Sequence, residues 1–213
     1  MQTRSARIPT DTVELIGDLA VPKHPSGLVL FAHGSGSGRR SPRNLRVAEY
    51  LQREGLVTLL FDLLTETEDR QYRNRFDITL LTERLLAATR WTAAEPALAG
   101  LAIGYFGAST GAAAALYAAA AIPTTKAVVS RGGRPDLAMA SLPHVRAATL
   151  LIVGGADDTV LDLNRLAYAQ LTGPRALEVV PGATHLFEEA GALEEVARLA
   201  ADWFRRYLKP QTA

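Results

Sequence analysis

Short runs of consecutive apolar residues recur along the chain, and most are bounded by glycine, proline or charged residues. Apolar runs of this length are typical of strands that are buried on both faces of a sheet. They predict strands at residues 27–32, 56–61, 101–106, 126–130, 148–153 and 176–180.

Between most of these runs, apolar residues return at every third or fourth position, as they do on the buried face of a helix. This periodicity predicts helices at residues 44–54, 77–94, 110–120, 162–171 and 192–208. Strands that alternate with helices form parallel sheets covered on both faces. The pattern therefore predicts a three-layer α/β fold with a mostly parallel, doubly wound sheet.

Two segments depart from this alternation. Residues 12–21 alternate apolar with polar or glycine positions, which favours an antiparallel strand at the edge of the sheet. Residues 63–76 are polar and charged without a regular period, which favours a surface loop. The stretch between the strand at 126–130 and residue 157 is too short for a large cap domain.

Composition is that of one globular domain spanning residues 1–213, with 48% apolar and 21% charged residues. Lysine and arginine are spread along the chain and the net charge is +1, so we expect no nucleic-acid partner and no anionic membrane. The absence of cysteine excludes disulfides, thiolate metal sites and a cysteine nucleophile. It fits the cytoplasmic location that we expect.

The first residues lack the apolar core of a secretory signal. Residues 96–125 carry no charge, but Gly100, Gly104, Gly107 and Gly111 interrupt them. The first half of this stretch is strand-like and the second half is alanine-rich and helix-forming. A buried strand packed under a buried helix has the same mean hydropathy as a membrane span, so hydropathy alone does not indicate one. We therefore predict that this stretch does not cross a membrane.

A G-x-S-x-G motif occupies residues 107–111, between a predicted strand and a predicted helix. On a sharp strand-to-helix turn, the serine hydroxyl is exposed at the carboxyl edge of the sheet and the glycines allow close backbone approach. Such a serine attacks only if an imidazole accepts its proton and a carboxylate orients the imidazole. Asp157 and Asp158 follow the predicted strand at 148–153, and His185 follows the predicted strand at 176–180. The order serine, aspartate, histidine along the chain is that of the α/β-hydrolases.

Four segments carry a resemblance to a known family: F-A-H-G-S-G-S-G, G-Y-F-G-A-S-T-G-A, G-G-A-D-D-T-V and G-A-T-H-L-F-E-E. Over nearly its whole length the chain resembles the α/β-hydrolase superfamily, in its small, lidless, dienelactone-hydrolase-like branch. The resemblance implies that Ser109 is the nucleophile, His185 the general base and then acid, and Asp157 the orienting carboxylate. Asp158 is the alternative carboxylate, and its other interpretation is a turn or helix-capping residue.

The oxyanion that forms on attack needs at least two preorganised donors. The backbone N–H of Thr110, next to the serine, is one candidate, and the resemblance implies the N–H of Ser35 as the second. His33, in the same turn as Ser35, is expected to hydrogen-bond the backbone rather than to take part in catalysis.

Candidate substrate contacts are Gly34, Arg131, Arg134 and Phe187. An arginine after the strand at 126–130 could hold an anionic substrate group through two hydrogen bonds. The alternative is a salt bridge to Asp136, Asp157 or Glu188 that braces the loops, and Phe187 could instead pack beside His185.

Together these features predict a serine hydrolase that cleaves small, short-chain carboxylic esters through an acyl-enzyme, without metal or cofactor. Serine replaces the cysteine nucleophile of dienelactone hydrolase, so the resemblance implies ester chemistry but does not assign dienelactone as the substrate. Thioester hydrolysis, lactone hydrolysis and acyl transfer use the same triad, and a non-catalytic ligand-binding protein is the rival class. A monomer is the default expectation, with a homodimer as the alternative.

Overall fold

Strands and helices alternate along most of residues 1–209, the part of the chain that the computed structural model describes. The strands are β1 (Gln2–Pro9), β2 (Glu14–Val21), β3 (Gly27–Ala32), β4 (Leu56–Phe61), β5 (Ile103–Ala108), β6 (Ala127–Arg131), β7 (Ala148–Gly154) and β8 (Arg175–Val180). The α-helices are α1 (Pro42–Arg53), α2 (Glu66–Asp69), α3 (Ile78–Ala94), α4 (Thr110–Ala121), α5 (Asp158–Gln170) and α6 (Ala192–Tyr207). Short 3₁₀ segments lie at Tyr72–Phe76, Pro96–Leu98 and Pro135–His144.

The strands form one sheet in the order β1-β2-β4-β3-β5-β6-β7-β8. All neighbouring pairs from β4 to β8 are parallel, whereas β2 is antiparallel to both β1 and β4. The chain runs from β3 outward to β4 and then returns to the other side of β3 as β5, so the strand order reverses between β3 and β5. Ligand sites in such sheets lie at the carboxyl ends of the strands beside this reversal.

Helices cover both faces of the sheet. Successive residues of a strand point to opposite faces, so Tyr105 packs with residues of α3 and α4 while Phe106 packs with residues of α1 and α6. Both rings are at most 1% exposed. The predicted three-layer α/β fold with a mostly parallel sheet is confirmed, and no large cap domain lies between β6 and α5.

Two predictions for the first third of the chain were wrong. The antiparallel strand near residues 12–21 exists as β2, but β1 lies outside it and forms the edge. The sequence pattern did not reveal β1 because only Ala6 and Ile8 of its residues are buried. The segment 63–76 is not structureless, since Thr65 and Glu68 form a capping box that begins α2 and a 3₁₀ segment follows.

The uncharged stretch 96–125 divides into β5 and α4, and both are largely buried. Within residues 1–209, no helix has the length and apolar character that crossing a membrane requires.

Candidate active site

The backbone turns sharply at Ser109, between β5 and α4. Ser109 has φ 49° and ψ −122°, a conformation that costs a non-glycine residue about 1–3 kcal/mol. Three backbone hydrogen bonds hold it. Its N–H donates to the carbonyl oxygen of Arg131 at 3.3 Å, and its own carbonyl oxygen accepts from the N–H groups of Ala112 and Arg134, both at 3.1 Å. The turn places the serine at the positive N-terminal end of α4.

The two motif glycines are required because other backbone segments lie against them. A Cβ atom on Gly107 would lie 2.4 Å from the Cα of Ala112, and a Cβ atom on Gly111 would lie 2.1 Å from the carbonyl oxygen of Ala32. Contacts this short with backbone atoms cannot be relieved by moving a side chain. The G-x-S-x-G spacing is therefore a packing requirement of the strand-to-helix turn.

Asp157 and His185 are brought together from the ends of β7 and β8. The Nδ1 of His185 lies 2.7 Å from Oδ2 of Asp157, and their side chains are 40% and 16% exposed. This bond leaves Nε2 of His185 as the nitrogen available to a third group. Asp158 is exposed at the start of α5 and, within residues 1–209, makes no ion pair with the imidazole.

Ser109 and His185 are linked through the end of β6. The carbonyl of Arg131 accepts the N–H of Ser109, and the next residue, Gly132, lies against the imidazole: a Cβ atom there would be 3.5 Å from Nδ1 of His185. In residues 1–209 the Oγ of Ser109 makes no hydrogen bond to the imidazole. Hydrogen bonds of this kind are often long or poorly aligned in unliganded enzymes and tighten when substrate binds.

The loop that carries His185 is anchored by Phe187. Phe187 has φ 56° and is 1% exposed, with its ring packed among residues of α1 and α6 and against Gly132. Arg43 at the start of α1 also bonds Glu188 at 3.0 Å. The prediction that Phe187 contacts substrate is therefore corrected: its ring is buried, and it fixes the position of the loop.

His33 is a structural residue of the turn after β3. The N–H of Leu63 donates to Nε2 at 2.9 Å, so Nδ1 carries the proton and donates to the carbonyl oxygen of Gly34 at 3.0 Å. Burial lowers the pKa of His33, which keeps the imidazole neutral. Gly34 then packs against the serine, since a Cβ atom there would lie 3.1 Å from the Cβ of Ser109.

The two residues that carry the candidate oxyanion donors are in contact through the side chain of Thr110. The N–H of Ser35 donates to Oγ1 of Thr110 at 3.1 Å, and Thr110 is 3% exposed. The N–H of Thr110 belongs to the first turn of α4, where amides have no partner within the helix. The N–H of Ser35, which was expected to face substrate, is thus engaged by a hydroxyl.

The two candidate arginines have different surroundings. Arg134 donates to both carboxylate oxygens of Asp136 at 2.8 Å, which is the loop-bracing salt bridge given above as the alternative. A contact between Arg134 and substrate stays a prediction. Arg131 is 8% exposed, and within residues 1–209 its guanidinium makes no ion pair and its Nη1 has no hydrogen-bond partner. Burial, together with the nearby Arg43, lowers the pKa of Arg131 to about 10, which leaves it charged at neutral pH.

A strained serine turn on a doubly wound sheet, with a histidine and an aspartate at later strand ends, defines an α/β hydrolase. Comparison with known proteins agrees, because residues 17–209 match the model of the dienelactone hydrolase family. The chain therefore belongs to the dienelactone hydrolase family.

Solved structures share the fold, and one of them is a close relative in sequence. A dienelactone hydrolase from Anabaena variabilis is 54% identical, with a TM-score of 0.95 over 98% of this chain and 99% of that chain. An esterase from Pyrococcus furiosus is 18% identical, with a TM-score of 0.77 over 97% of this chain and 93% of that chain, and so shares the fold.

A curated relative from Mycobacterium tuberculosis strain H37Rv, provisionally named a phosphoribosyl transferase, is 56% identical over 209 residues. The match covers 98% of this chain and 47% of the relative. This chain thus spans about half the length of the curated relatives that it matches.

Sequence reasoning missed two features of the site. The side chain of Thr110 contacts Ser35, and no residue pattern announces this bond because 75 positions separate the partners. Gly132 has φ 50° and lies beside His185. The Gly132-Gly133 pair after a predicted strand could have indicated this turn, because glycine adopts a positive φ readily.

We expect Gly111→Ala to lower the free energy of unfolding by about 3 kcal/mol or more, or to prevent folding, because its methyl group would overlap a carbonyl oxygen of β3. Gly100→Ala is the control: Gly100 has φ +79° but nothing within 4 Å of the added carbon, so the cost should be about 1–2 kcal/mol. Urea unfolding measures both, and equal losses would contradict the steric argument.

Proposed function

We propose that this protein is a serine hydrolase that cleaves small, short-chain carboxylic esters through an acyl-enzyme. The observation that carries the proposal is the 2.7 Å hydrogen bond between Asp157 and His185, on loops that flank the strained Ser109 turn. Membership in a hydrolase family supports it. In a Ser-His-Asp triad, the aspartate orients the histidine and the histidine takes the proton of the serine.

In the proposed reaction, Oγ of Ser109 attacks the ester carbonyl carbon and Nε2 of His185 takes the serine proton. The carbonyl electron pair moves onto oxygen, and Asp157 keeps the proton on Nδ1 and stabilises the imidazolium. When the oxyanion collapses, the C–O bond breaks and His185 delivers its proton to the leaving alcohol. Water then attacks the acyl-enzyme with His185 again as the base, which releases the acid and restores Ser109.

Small substrates are favoured by what surrounds the serine. Between β6 and α5 the chain forms the 3₁₀ segment Pro135–His144 and no large cap domain. A long acyl chain would remain in water, so added methylenes would bring little of the roughly 0.8 kcal/mol that each gains on burial.

Other reactions fit the same residues, namely thioester hydrolysis, lactone opening and acyl transfer to an acceptor other than water. Product analysis with matched esters, thioesters, lactones and competing alcohols separates them. We assign any phosphoribosyl transfer by the Mycobacterium tuberculosis relative to the part of it that this chain does not match. In support, the glycine-serine turn at residues 33–38 lacks the spacing of a phosphate-binding loop.

We expect the protein to hydrolyse p-nitrophenyl acetate and butyrate faster than the dodecanoate, and Ser109→Ala to lower kcat by about 10³-fold or more. A fluorophosphonate should label one serine in the wild type and none in Ser109→Ala, as measured by intact mass. Labelling of the variant, or inactivity of the wild type toward all three esters, would support the ligand-binding alternative instead.

The choice between neighbouring carboxylates has a matched test. Asp157→Asn should lower kcat by about 10³–10⁴-fold, because an amide cannot hold the Nδ1-protonated tautomer or stabilise the imidazolium. Asp158→Asn should stay within about twofold of wild type, since Asp158 is exposed and makes no bond to His185. The reverse order of effects would move the carboxylate role to Asp158.

We further propose that Arg131 holds an anionic group on the substrate. Its backbone carbonyl binds the N–H of Ser109, so the residue lies directly beside the nucleophile. Arg131 is 8% exposed and its Nη1 has no hydrogen-bond partner within residues 1–209. Burial of an unpaired charge costs free energy, and a bound anion would offset that cost. The nearby Arg43 is paired with Glu188 at 3.0 Å, whereas Arg131 has no acidic partner within residues 1–209 and is the cation available to a carboxylate-bearing ester.

This proposal predicts a preference for p-nitrophenyl hemisuccinate over the neutral butyrate. In Arg131→Met the ratio of kcat/KM for the two esters should fall by about 10–100-fold, because a charge-assisted bidentate contact is lost. Arg134→Met is the matched control and should keep the ratio, since Arg134 is already paired with Asp136. Equal ratios in wild type and Arg131→Met would remove Arg131 from substrate recognition.

A further inference from the structure

The hydroxyl of Thr110 contacts one of the two amides from which oxyanion donors were expected, and it belongs to the residue that carries the other. Its Oγ1 accepts the N–H of Ser35 at 3.1 Å. The side chain is 3% exposed and follows Ser109 directly in the chain. Any oxygen bound by both amides would therefore also lie close to this hydroxyl.

The Thr110 hydroxyl still has its own proton to donate. Because Oγ1 accepts from Ser35, its own hydrogen points away from that amide, and within residues 1–209 it donates to no protein group. Two threonines in the interior of α3 use their hydroxyls differently. Thr82 and Thr89 in α3 donate to the carbonyl oxygens four residues earlier, at 2.7 and 2.8 Å. Thr110, as the first residue of α4, makes no such bond.

We propose that the Thr110 hydroxyl is itself a catalytic donor of the oxyanion hole, an inference that depends on the proposed serine hydrolase function. The Ser35 N–H holds and polarises Oγ1, and the Thr110 O–H and N–H donate together to the oxygen that becomes negative. No proton is transferred in this contact. The Thr110 N–H is then the first donor and the Thr110 O–H the second. Ser35 acts indirectly, because its N–H positions the Thr110 hydroxyl.

The proposal is tested by removing the hydroxyl in two ways and restoring it in one. Thr110→Val and Thr110→Ala should each lower kcat for p-nitrophenyl butyrate by about 10²–10³-fold with KM changed by less than about threefold, since the lost bond forms in the transition state. Thr110→Ser should stay within about fivefold of wild type. The affinity of a short-chain trifluoromethyl ketone, which forms a tetrahedral adduct with the serine, should fall in parallel with kcat/KM.

If the two variants without the hydroxyl keep or exceed the wild-type kcat, the hydroxyl only occupies the Ser35 amide and the proposal is overturned. A Thr110→Ser variant as slow as Thr110→Ala would overturn it as well. Thr110→Ala removes atoms without adding any, so it decides the question if Thr110→Val does not fold. Wild-type protein without esterase activity or phosphonate labelling would instead reject the hydrolase function, whereas an active wild type with unaffected variants rejects only the role of Thr110.

Discussion

The backbone conformation of Ser109 is the constraint on which the site depends. A residue with φ 49° costs about 1–3 kcal/mol, so the surrounding structure must hold it in place. The hold comes from the end of β6, which bonds the N–H of Ser109, and from the close approach of α4 to β3 that Gly111 permits. Because these contacts are made by the central strands of the sheet, the serine is positioned by the most buried part of the protein.

Around this turn, two of the loops that carry candidate residues are anchored by a buried side chain. His33 bonds the backbone of two segments as a neutral imidazole, and Phe187 anchors the loop of His185 by burying its ring at a positive φ. The anchored loop places His185 2.7 Å from Asp157 although both side chains are partly exposed. Rigid placement of donors before substrate binds is what electrostatic catalysis requires.

Much of the fold could be predicted because parallel strands buried on both faces have a simple sequence pattern. The runs that became β3 and β4 had the observed boundaries, and the strand-to-helix setting of Ser109 was visible in the same way. The edge strand β1 escaped prediction because an exposed edge needs few apolar residues. The short helix α2 escaped because its cap, Thr65 with Glu68, is a polar signal within a polar segment.

By itself, the sequence determined the fold class and which side chains reach the carboxyl edge of the sheet, because apolar periodicity and chain order are local properties. Only the tertiary structure decided how those side chains pair. Arg134 bonds Asp136 whereas Arg131 has no acidic partner within residues 1–209, and the amide of Ser35 bonds the hydroxyl of Thr110. Hydrogen bonds depend on distances of about 3 Å between segments far apart in the chain, and residue spacing does not encode those distances.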